Sequence, residues 1–513
     1  TVEAEQAVAE ARRLNPAACP PVEGELRIAL DRRDPARARR AATELLACRP
    51  ESEDLAFALR DAGDVKGAAD EYRRLLALDP TREHVRSALA ESLVALGDVN
   101  GAVAVYRELV RRDPRVAAFR QKLADALLLA GDEPGARKVL LEGLARSPEA
   151  DELHRALAAL GEPNPIDAFR VDGRKVIADF EASGARYDAP AVIVLDRTVS
   201  RVFSTGARLT LTHNIIRVQT KDGIDKWGEV QVPEGADVLL LRTVKADGTT
   251  REPEQIAEKQ SASVPDLQPG DYVEFEYVDP SGAPQAFPGG FYGERFFFQS
   301  FDAPLDRTEF VLATPRGLEV QLDTRGAAPP MQLERRGELD VRTWSDRKKV
   351  QLLPEPQQTP FTEYVPSVRA GAGVSYARWR DFLADQSFGT RRANAELREL
   401  AARLKTASAV DAWVRKNVKQ GGSLDEPATS VLARLEGSRV VLSSALLGAL
   451  GIRSEIWLAR ARTDAQLDGT PLPDLEGYDE AILAVDEGKA GVKVVDPRFR
   501  HAPRGFVAPL LRG

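Results

Sequence analysis

The chain has 513 residues, of which 43% are hydrophobic and 29% charged, and its formal net charge is −8. This length predicts about three domains, and the composition is that of an ordinary globular protein. The negative charge argues against general binding of nucleic acid or membrane surfaces, since both need an excess of Lys and Arg to meet phosphate. The longest apolar stretch, residues 440–452, is too short to span a bilayer.

Three units of equal length follow one another in the N-terminal third. Each contains a Gly-Asp pair, then a small Ala, then a larger apolar residue, and a Pro at its end. The shared positions recur every 34 residues and are Gly63, Gly97 and Gly131; Ala68, Ala102 and Ala136; Tyr72, Tyr106 and Leu140; and Pro80, Pro114 and Pro148. The Gly-Asp pair ends one helix and caps the next, the Ala allows close helix packing, and the Pro stops the second helix. The pattern resembles the tetratricopeptide repeat and implies an α-solenoid over residues 1–162.

In the resembled family, the first helix of each repeat lines a concave groove that holds a peptide or a partner helix. The corresponding inward positions of this chain are Arg60, His84, Glu91, Gln121 and Asp125. We therefore expect a protein or peptide partner in this groove, within a larger complex. The mixed charge of these five side chains indicates no ligand preference, and solvation of several of them is an equally good interpretation.

The start of the chain carries a further expectation. Thr1 falls inside the predicted second helix of a repeat, and a solenoid needs a polar capping end. We therefore expect the natural protein to extend upstream. A targeting segment could also have been removed, because the chain does not begin with Met.

The cysteines and histidines indicate neither a metal site nor a cofactor. Cys19 and Cys48 are the two cysteines, and they either pair in an oxidising compartment or are buried singly. The four histidines lie in different segments, and none has a metal-ligand spacing with another ligand type.

Residues 163–365 carry a pattern of short strands. Pro163 and Pro165 follow the last repeat helix and break it, and a short helix is expected near residues 175–182. Polar and apolar residues then alternate, as over residues 208–212 and 272–277. Turn signals lie between such runs, at residues 221–223, 247–248, 269–271 and 316–317. Many short strands with regular turns predict an antiparallel β-sandwich.

Four short motifs also follow one another in this region, at residues 222–224, 227–230, 244–249 and 267–272. They resemble a domain of unknown function that precedes transglutaminase-like domains in bacterial envelope proteins, over about residues 170–360. This resemblance implies a fold and no activity. His213 has no partner nearby in sequence, so we expect a structural role for it. The aromatic run 296–298 is expected to place at least one ring in the core.

Residues 366–513 combine predicted helices with three predicted strands. A helix is predicted at residues 409–417, an apolar helix spans 437–452, and strands are predicted at 454–459, 478–485 and 491–495. The region resembles a transglutaminase-like domain, which implies an α+β, papain-like fold. The resembled enzymes use a Cys-His-Asp set, in which the thiolate attacks a carbonyl, the imidazole carries the proton and the Asp orients the imidazole. The Cys stands at the start of the central helix, where the helix N-terminus favours the thiolate.

The residues of this set transfer to the chain only in part. Depending on how the central helix is aligned, the Cys position holds Glu436 or Arg439. The His position holds Glu480, and only Asp496 is retained, so we expect Asp496 to form a cap or to pair with a nearby Arg. The resemblance therefore implies a pseudoenzyme that lacks the catalytic Cys and His.

These observations lead to one preferred function and two alternatives. The preferred function is a non-catalytic protein-protein interaction and assembly protein of the bacterial cell envelope, with a pseudo-transglutaminase domain. One alternative is an enzyme with altered chemistry in this cleft, an amidase, peptidase or acyl transferase built on carboxylates such as Glu436 and Glu480. The other is a peptide-binding regulator. The resemblance implies the periplasm or cell envelope, and a cytoplasmic location is the alternative.

Overall fold

The structure is a computed structural model, and it describes residues 2–16, 18–253, 261–356, 360–460, 471–478, 480–501, 503 and 505–508. It divides into two compact units, Thr1–Ala168 and Phe169–Gly513. No helix in the described ranges is both long enough and apolar enough to cross a membrane.

The first unit is a succession of helices in which each packs on the next. The helices are α1 (Val2–Leu14), α2 (Cys19–Asp31), α3 (Pro35–Leu45), α4 (Asp54–Asp61), α5 (Val65–Leu78), α6 (Glu83–Ala95), α7 (Val99–Arg112), α8 (Ala117–Leu129), α9 (Glu133–Leu144) and α10 (Asp151–Ala159). The repeated Ala and Tyr or Leu positions of the sequence pattern lie in their shared core, where Ala68, Ala102 and Ala136 are fully buried. The predicted α-solenoid is therefore confirmed.

Local chemistry explains where these helices begin and end. Gly97 and Gly131 have φ values of 78°, a left-handed conformation that ends a helix at little cost only for Gly. The carboxylate of Asp98 then accepts a hydrogen bond from the backbone N–H of Gly101, at 2.9 Å. Asp64 and Asp132 cap α5 and α9 in the same way.

Cys19 and Cys48 form a disulfide in this unit, with Cα atoms 6.0 Å apart. Of the two states that the sequence left open for them, the structure contains the paired one. The bond links the first residue of α2 to the turn after α3.

The second unit begins with a β region of fourteen labelled strands and three short helices. The strands are β1 (Ala191–Val202), β2 (Arg208–Val218), β3 (Glu229–Gln231), β4 (Asp237–Val244), β5 (Thr250–Arg251), β6 (Ser261–Ser263), β7 (Tyr272–Ser281), β8 (Phe291–Tyr292), β9 (Phe296–Phe297), β10 (Leu305–Pro315), β11 (Gln321–Arg325), β12 (Gln332–Arg336), β13 (Leu339–Lys349) and β14 (Ser367–Ala372). The helices are α11 (Gly173–Ala182), α12 (Lys221–Trp227) and α13 (Phe361–Tyr364).

A large sheet dominates the β region, with strand order β12-β13-β10-β1-β2-β7-β4-β5. A small sheet, β11-β14-β8 with β9 also paired to β14, packs on one end of it. Phe298 and Phe310 are buried in the shared core of the two sheets, so the aromatic run does supply a core ring. Helix α11 covers another part of the large sheet through Val176 and Phe180.

The prediction of a purely antiparallel sandwich is wrong, because β1 and β10 pair in parallel and the large sheet is mixed. Turn motifs in a sequence indicate hairpins between strands that are neighbours in the chain. Strands β1 and β10 are separated by about a hundred residues, so no turn motif indicates their pairing. The small sheet also continues to Ala372, past the domain boundary expected at residue 365, since β14 pairs with β11, β8 and β9.

The C-terminal part of the second unit is an α+β arrangement. Its elements are α14 (Tyr376–Phe388), α15 (Ala395–Leu404), α16 (Ala407–Asn417), β15 (Lys419–Gln420), α17 (Ala428–Arg434), β16 (Glu436–Gly437), α18 (Arg439–Ala449), β17 (Ser454–Ala459), β18 (Glu480–Asp486) and β19 (Val492–Val495). The antiparallel sheet β17-β18-β19 packs on the buried helix α18, with α15, α16 and α17 around that helix.

Candidate functional site

The first candidate site is a groove in the helical unit. A cavity of ≈ 570 Å³ is lined by Glu83, His84, Ser87, Ala88, Glu91 and Phe119. Its walls come from α6 and α8, the first helices of successive repeats. Two of the five predicted binding residues, His84 and Glu91, therefore lie in this cavity.

Polar contacts connect side chains of this groove to neighbouring repeats. His84 Nε2 lies 2.7 Å from Glu53 Oε1, and Glu91 pairs with Lys122 of the next repeat. Burial raises the pKa of Tyr106 to about 12, and the charges of Glu91 and Asp125 add to this effect. Asp125 is exposed on α8 and does not line the cavity.

The two remaining predicted residues lie outside the cavity lining. Gln121 is half-buried on α8, and Arg60 is exposed near the end of α4. The guanidinium of Arg60 lies 5.3 Å from the ring centre of Phe57, and its Nε lies 3.8 Å from Asp61. Phe57, exposed at 39%, and Phe119 were missed by the sequence prediction. The 34-residue period could have found Phe57, because it occupies the repeat position of Glu91 and Asp125.

The second candidate site surrounds the first turn of α18. Arg439 is the first residue of this helix, and Ser438 caps it. The Arg439 side chain is buried and donates to three backbone carbonyls, those of Val418 (2.8 Å), Pro497 (3.3 Å) and Arg498 (2.8 Å). Burial lowers the pKa of this guanidinium, with further lowering from Arg500 and Arg415.

Arg498 joins the other two predicted positions. Its guanidinium donates to both carboxylate oxygens of Asp496, each at 2.8 Å, and it also pairs with Glu480. Asp496 is fully buried, and burial raises its pKa. The pairing expected between Asp496 and a nearby Arg is thus present. Arg439, Glu480 and Asp496 form one cluster around Arg498.

Glu436 does not join this cluster in the same way. It lies in β16, three residues before α18, and its exposed carboxylate pairs with Lys419 of β15 at 2.7 Å. This ion pair lowers the pKa of Glu436. Glu436 and Glu480 thus pair with different cationic side chains, Lys419 and Arg498.

Two hydroxyl side chains lie on α18. Ser443 and Ser444 are both buried, and the oxygen of Ser444 lies 3.2 Å from that of Ser454. His213, expected to be structural, is buried in the β region with Nε2 at 3.1 Å from Glu274. Both cysteines are consumed by the disulfide of the helical unit.

A basic cavity that the sequence did not indicate lies against α16. Its volume is ≈ 530 Å³, and its lining includes Arg415, Lys416, Arg500 and His501 beside Asp411. Asp411 and Arg415 pair at 2.7 Å. No local sequence pattern indicated this cavity, because residues 500–501 and α16 meet only in the folded chain.

Family models match the helical repeats and the β region of the chain. Tetratricopeptide repeat models match residues 24–83, 59–120 and 93–160. The model of a domain of unknown function with a solved structure, DUF3857, matches residues 206–349. The chain thus carries tetratricopeptide repeats followed by a DUF3857 domain. No curated protein matches the chain.

Several solved structures are similar to parts of this chain at low identity. A protein from Parabacteroides distasonis, described as a candidate protease, is 14% identical with a TM-score of 0.48, over 60% of this chain and 67% of that one. YrrB, a tetratricopeptide repeat protein with an unusual peptide-binding site, is 17% identical with a TM-score of 0.26, over 30% and 84%. MamA from Desulfovibrio magneticus is 18% identical with a TM-score of 0.24, over 27% and 81%.

Proposed function

We propose that this chain is a non-catalytic assembly protein of the bacterial cell envelope. Its tetratricopeptide repeats recruit a protein or peptide partner, and its C-terminal region is a transglutaminase-like fold that has lost the chemistry of the enzymes. Tetratricopeptide repeats are interaction modules, and the groove between α6 and α8 offers polar and aromatic side chains for a partner.

The contacts of the Arg439 side chain are the main support for the loss of catalytic chemistry. Arg439 is one of the two residues, with Glu436, that the resemblance aligns with the catalytic Cys. It is the first residue of α18, and its guanidinium donates to three backbone carbonyls. Such a side chain stabilises structure and cannot act as a nucleophile. Arg498 forms ion pairs with both Glu480 and Asp496, which supports the same conclusion for the carboxylates.

The disulfide supports the location. Stable disulfides form in oxidising compartments such as the bacterial periplasm and are rare in the cytosol. The pairing of Cys19 with Cys48 therefore favours the periplasm over the cytoplasmic alternative.

One experiment addresses catalysis. We expect the purified chain to release no ammonia from glutamine peptides with an amine donor, and to hydrolyse neither amide nor peptide substrates, when products are followed by mass spectrometry. The variant Glu480→Gln serves as the control. Turnover by the natural chain that disappears in Glu480→Gln would establish the alternative of an enzyme with altered chemistry.

A second experiment addresses recruitment. Proteins captured from an envelope extract by the full chain are compared with those captured by the groove variant His84→Ala/Glu91→Ala. The matched control is Arg73→Ala/Arg111→Ala, which alters exposed residues of α5 and α7 outside the cavity. We expect the groove variant to capture at least tenfold less of the partner than the natural chain does. The control variant should capture as much as the natural chain. Capture that survives the groove substitutions would favour the peptide-binding regulator.

A further inference from the structure

A short segment of the C-terminal part, residues 471–476, lies against the small sheet of the β region. Its sequence is Pro-Leu-Pro-Asp-Leu-Glu. It precedes β18, yet its contacts are with residues 286–292, 321–325 and 369–379. We call residues 471–476 the strap.

Two leucines of the strap fill an apolar pocket. Leu472 is fully buried and Leu475 is 8% exposed, and both pack with Phe287 and Val374. Gly371 of β14 provides the room for the first of them, because a Cβ at this position would lie 2.7 Å from Cδ1 of Leu472. The pocket is therefore shaped for a leucine side chain at this point.

An aspartate between the two leucines is held by two arginines. The carboxylate of Asp474 accepts from Arg325 Nη2 at 3.0 Å and from Arg369 Nη1 at 3.2 Å. The side chains of these arginines are 4% and 3% exposed. Burial raises the pKa of Asp474, but the arginines hold it below its ordinary value.

The small sheet needs this negative charge. Arg295, Arg325 and Arg369 lie on or beside it, whereas Asp323 is the buried carboxylate that pairs with Arg295 and Arg325. Cationic side chains thus outnumber the carboxylate within this set, and an unpaired buried charge is costly. The strap supplies the missing anions, Asp474 and also Glu476, which pairs with Arg369.

Polar side chains also recognise the backbone of the strap. The hydroxyl of Tyr292 accepts from the N–H of Leu475 at 3.1 Å. The amide of Gln321 donates to the carbonyl of Pro471 at 2.9 Å, and Tyr376 donates to the carbonyl of Asp474 at 3.4 Å. Side-chain pockets combined with backbone hydrogen bonds are how proteins bind extended peptides.

We infer that the pocket formed by Phe287, Tyr292, Arg325, Arg369 and Val374 is a peptide-binding site. Its ligand class is an acidic segment of the form Leu-x-Asp-Leu, and the strap occupies the site in the resting chain as an internal ligand. A segment of the same chemistry from another protein gains the site by displacing the strap. The contacts come from six contiguous residues, so a short peptide contains everything that the pocket recognises.

The test uses the full chain with its strap disabled by Leu472→Ser/Asp474→Asn/Leu475→Ser. The probe is a fluorescent peptide of sequence Pro-Leu-Pro-Asp-Leu-Glu-Gly, followed by anisotropy. We expect binding to the disabled chain at least tenfold tighter than to the natural chain, because the tethered strap competes at high effective concentration. A peptide with Asn in place of Asp should bind the disabled chain at least tenfold more weakly.

A structural role without ligand recognition predicts different results. If the disabled chain retains the natural circular dichroism spectrum and binds no peptide, or binds the Asn peptide as tightly as the Asp peptide, the proposal is wrong. If the triple variant does not fold, the single variant Asp474→Asn weakens only the strap and must still tighten peptide binding severalfold. The matched control is Asp385→Asn, an exposed carboxylate on α14, which should leave the affinity unchanged.

Discussion

Asp196 illustrates how a single side chain can work against stability. It lies on β1 in the large sheet, where burial raises the pKa of its carboxyl from 3.8 to about 7. The side-chain amide of Asn214 lies opposite it on β2 and, with its N and O atoms assigned so that both find partners, donates to Oδ1 at 3.1 Å. This neutral donor does not offset the loss of water around a charged carboxylate.

We therefore expect Asp196→Asn to stabilise the protein at alkaline pH. In the unfolded chain the carboxyl ionises near pH 3.8, whereas in the folded chain it ionises near pH 7. The natural chain thus loses stability as pH rises between these values, and the loss is complete above pH 7. The gain from Asp196→Asn should reach on the order of 1–3 kcal/mol at pH 8, and it should be smaller at pH 5.5.

Urea unfolding at the two pH values measures this difference. Asp225→Asn, which removes an exposed carboxylate on α12, is the matched control and should show no such dependence. An equal effect of Asp196→Asn at both pH values would contradict the raised pKa.

The candidate site shows which residue contacts can be predicted from the sequence. The pairing of Asp496 with Arg498 was predictable, because the two residues are two positions apart. The three carbonyls bound by Arg439 lie 21 to 59 residues away in sequence, so only the fold brings them together. The alignment left Glu436 and Arg439 as equal choices, and the structure begins α18 at Arg439.

At the scale of elements, the repeat helices are specified by local signals. Gly97 ends one helix, and Asp98 caps the next by accepting from the N–H of Gly101. Capping needs no distant residue, which is why the sequence predicted these boundaries. The same reasoning missed α12, since residues 221–223 read as a turn. Thr220 converts this turn into a helix start by accepting from the N–H of Gly223.

We expect Asp98→Ala to destabilise the helical unit by about 1 kcal/mol, the usual cost of losing a helix cap. The variant leaves the N–H of Gly101 without its carboxylate partner. Urea unfolding followed by far-ultraviolet circular dichroism measures the change. Asp70→Ala removes an exposed carboxylate from the interior of α5, and it should alter the unfolding free energy by less than about 0.5 kcal/mol. Equal costs for the two variants would exclude the capping explanation.

The large sheet marks the limit of element prediction. Strands such as β2 and β7 alternate in polarity and were predicted, and they pair with each other along ten positions. The parallel pairing of β1 with β10 was not predicted, because no local pattern records which distant strand becomes the neighbour. His213 shows the same limit, since its partner Glu274 is 61 residues away.

At the scale of the whole molecule, the two compact units can be followed by different intrinsic spectroscopic signals. The disulfide lies in the first unit, and all five tryptophans of the sequence lie in the second, at positions 227, 344, 379, 413 and 457. Helix dominates the first unit, so circular dichroism at 222 nm reports it strongly. Tryptophan fluorescence reports the second unit alone.

Reduction of the disulfide should therefore change the circular dichroism transition and leave the tryptophan fluorescence transition unchanged. A bond that closes 29 residues restricts the unfolded chain and contributes about 3–4 kcal/mol in the chain-entropy model. Thermal unfolding with dithiothreitol should show an earlier circular dichroism transition and an unchanged fluorescence transition. The variant Cys19→Ala/Cys48→Ala should reproduce the shift without reductant and should not respond to it. If the fluorescence transition moved by the same amount, the units would unfold as one body, and stabilisation by the disulfide would not be confined to the repeats.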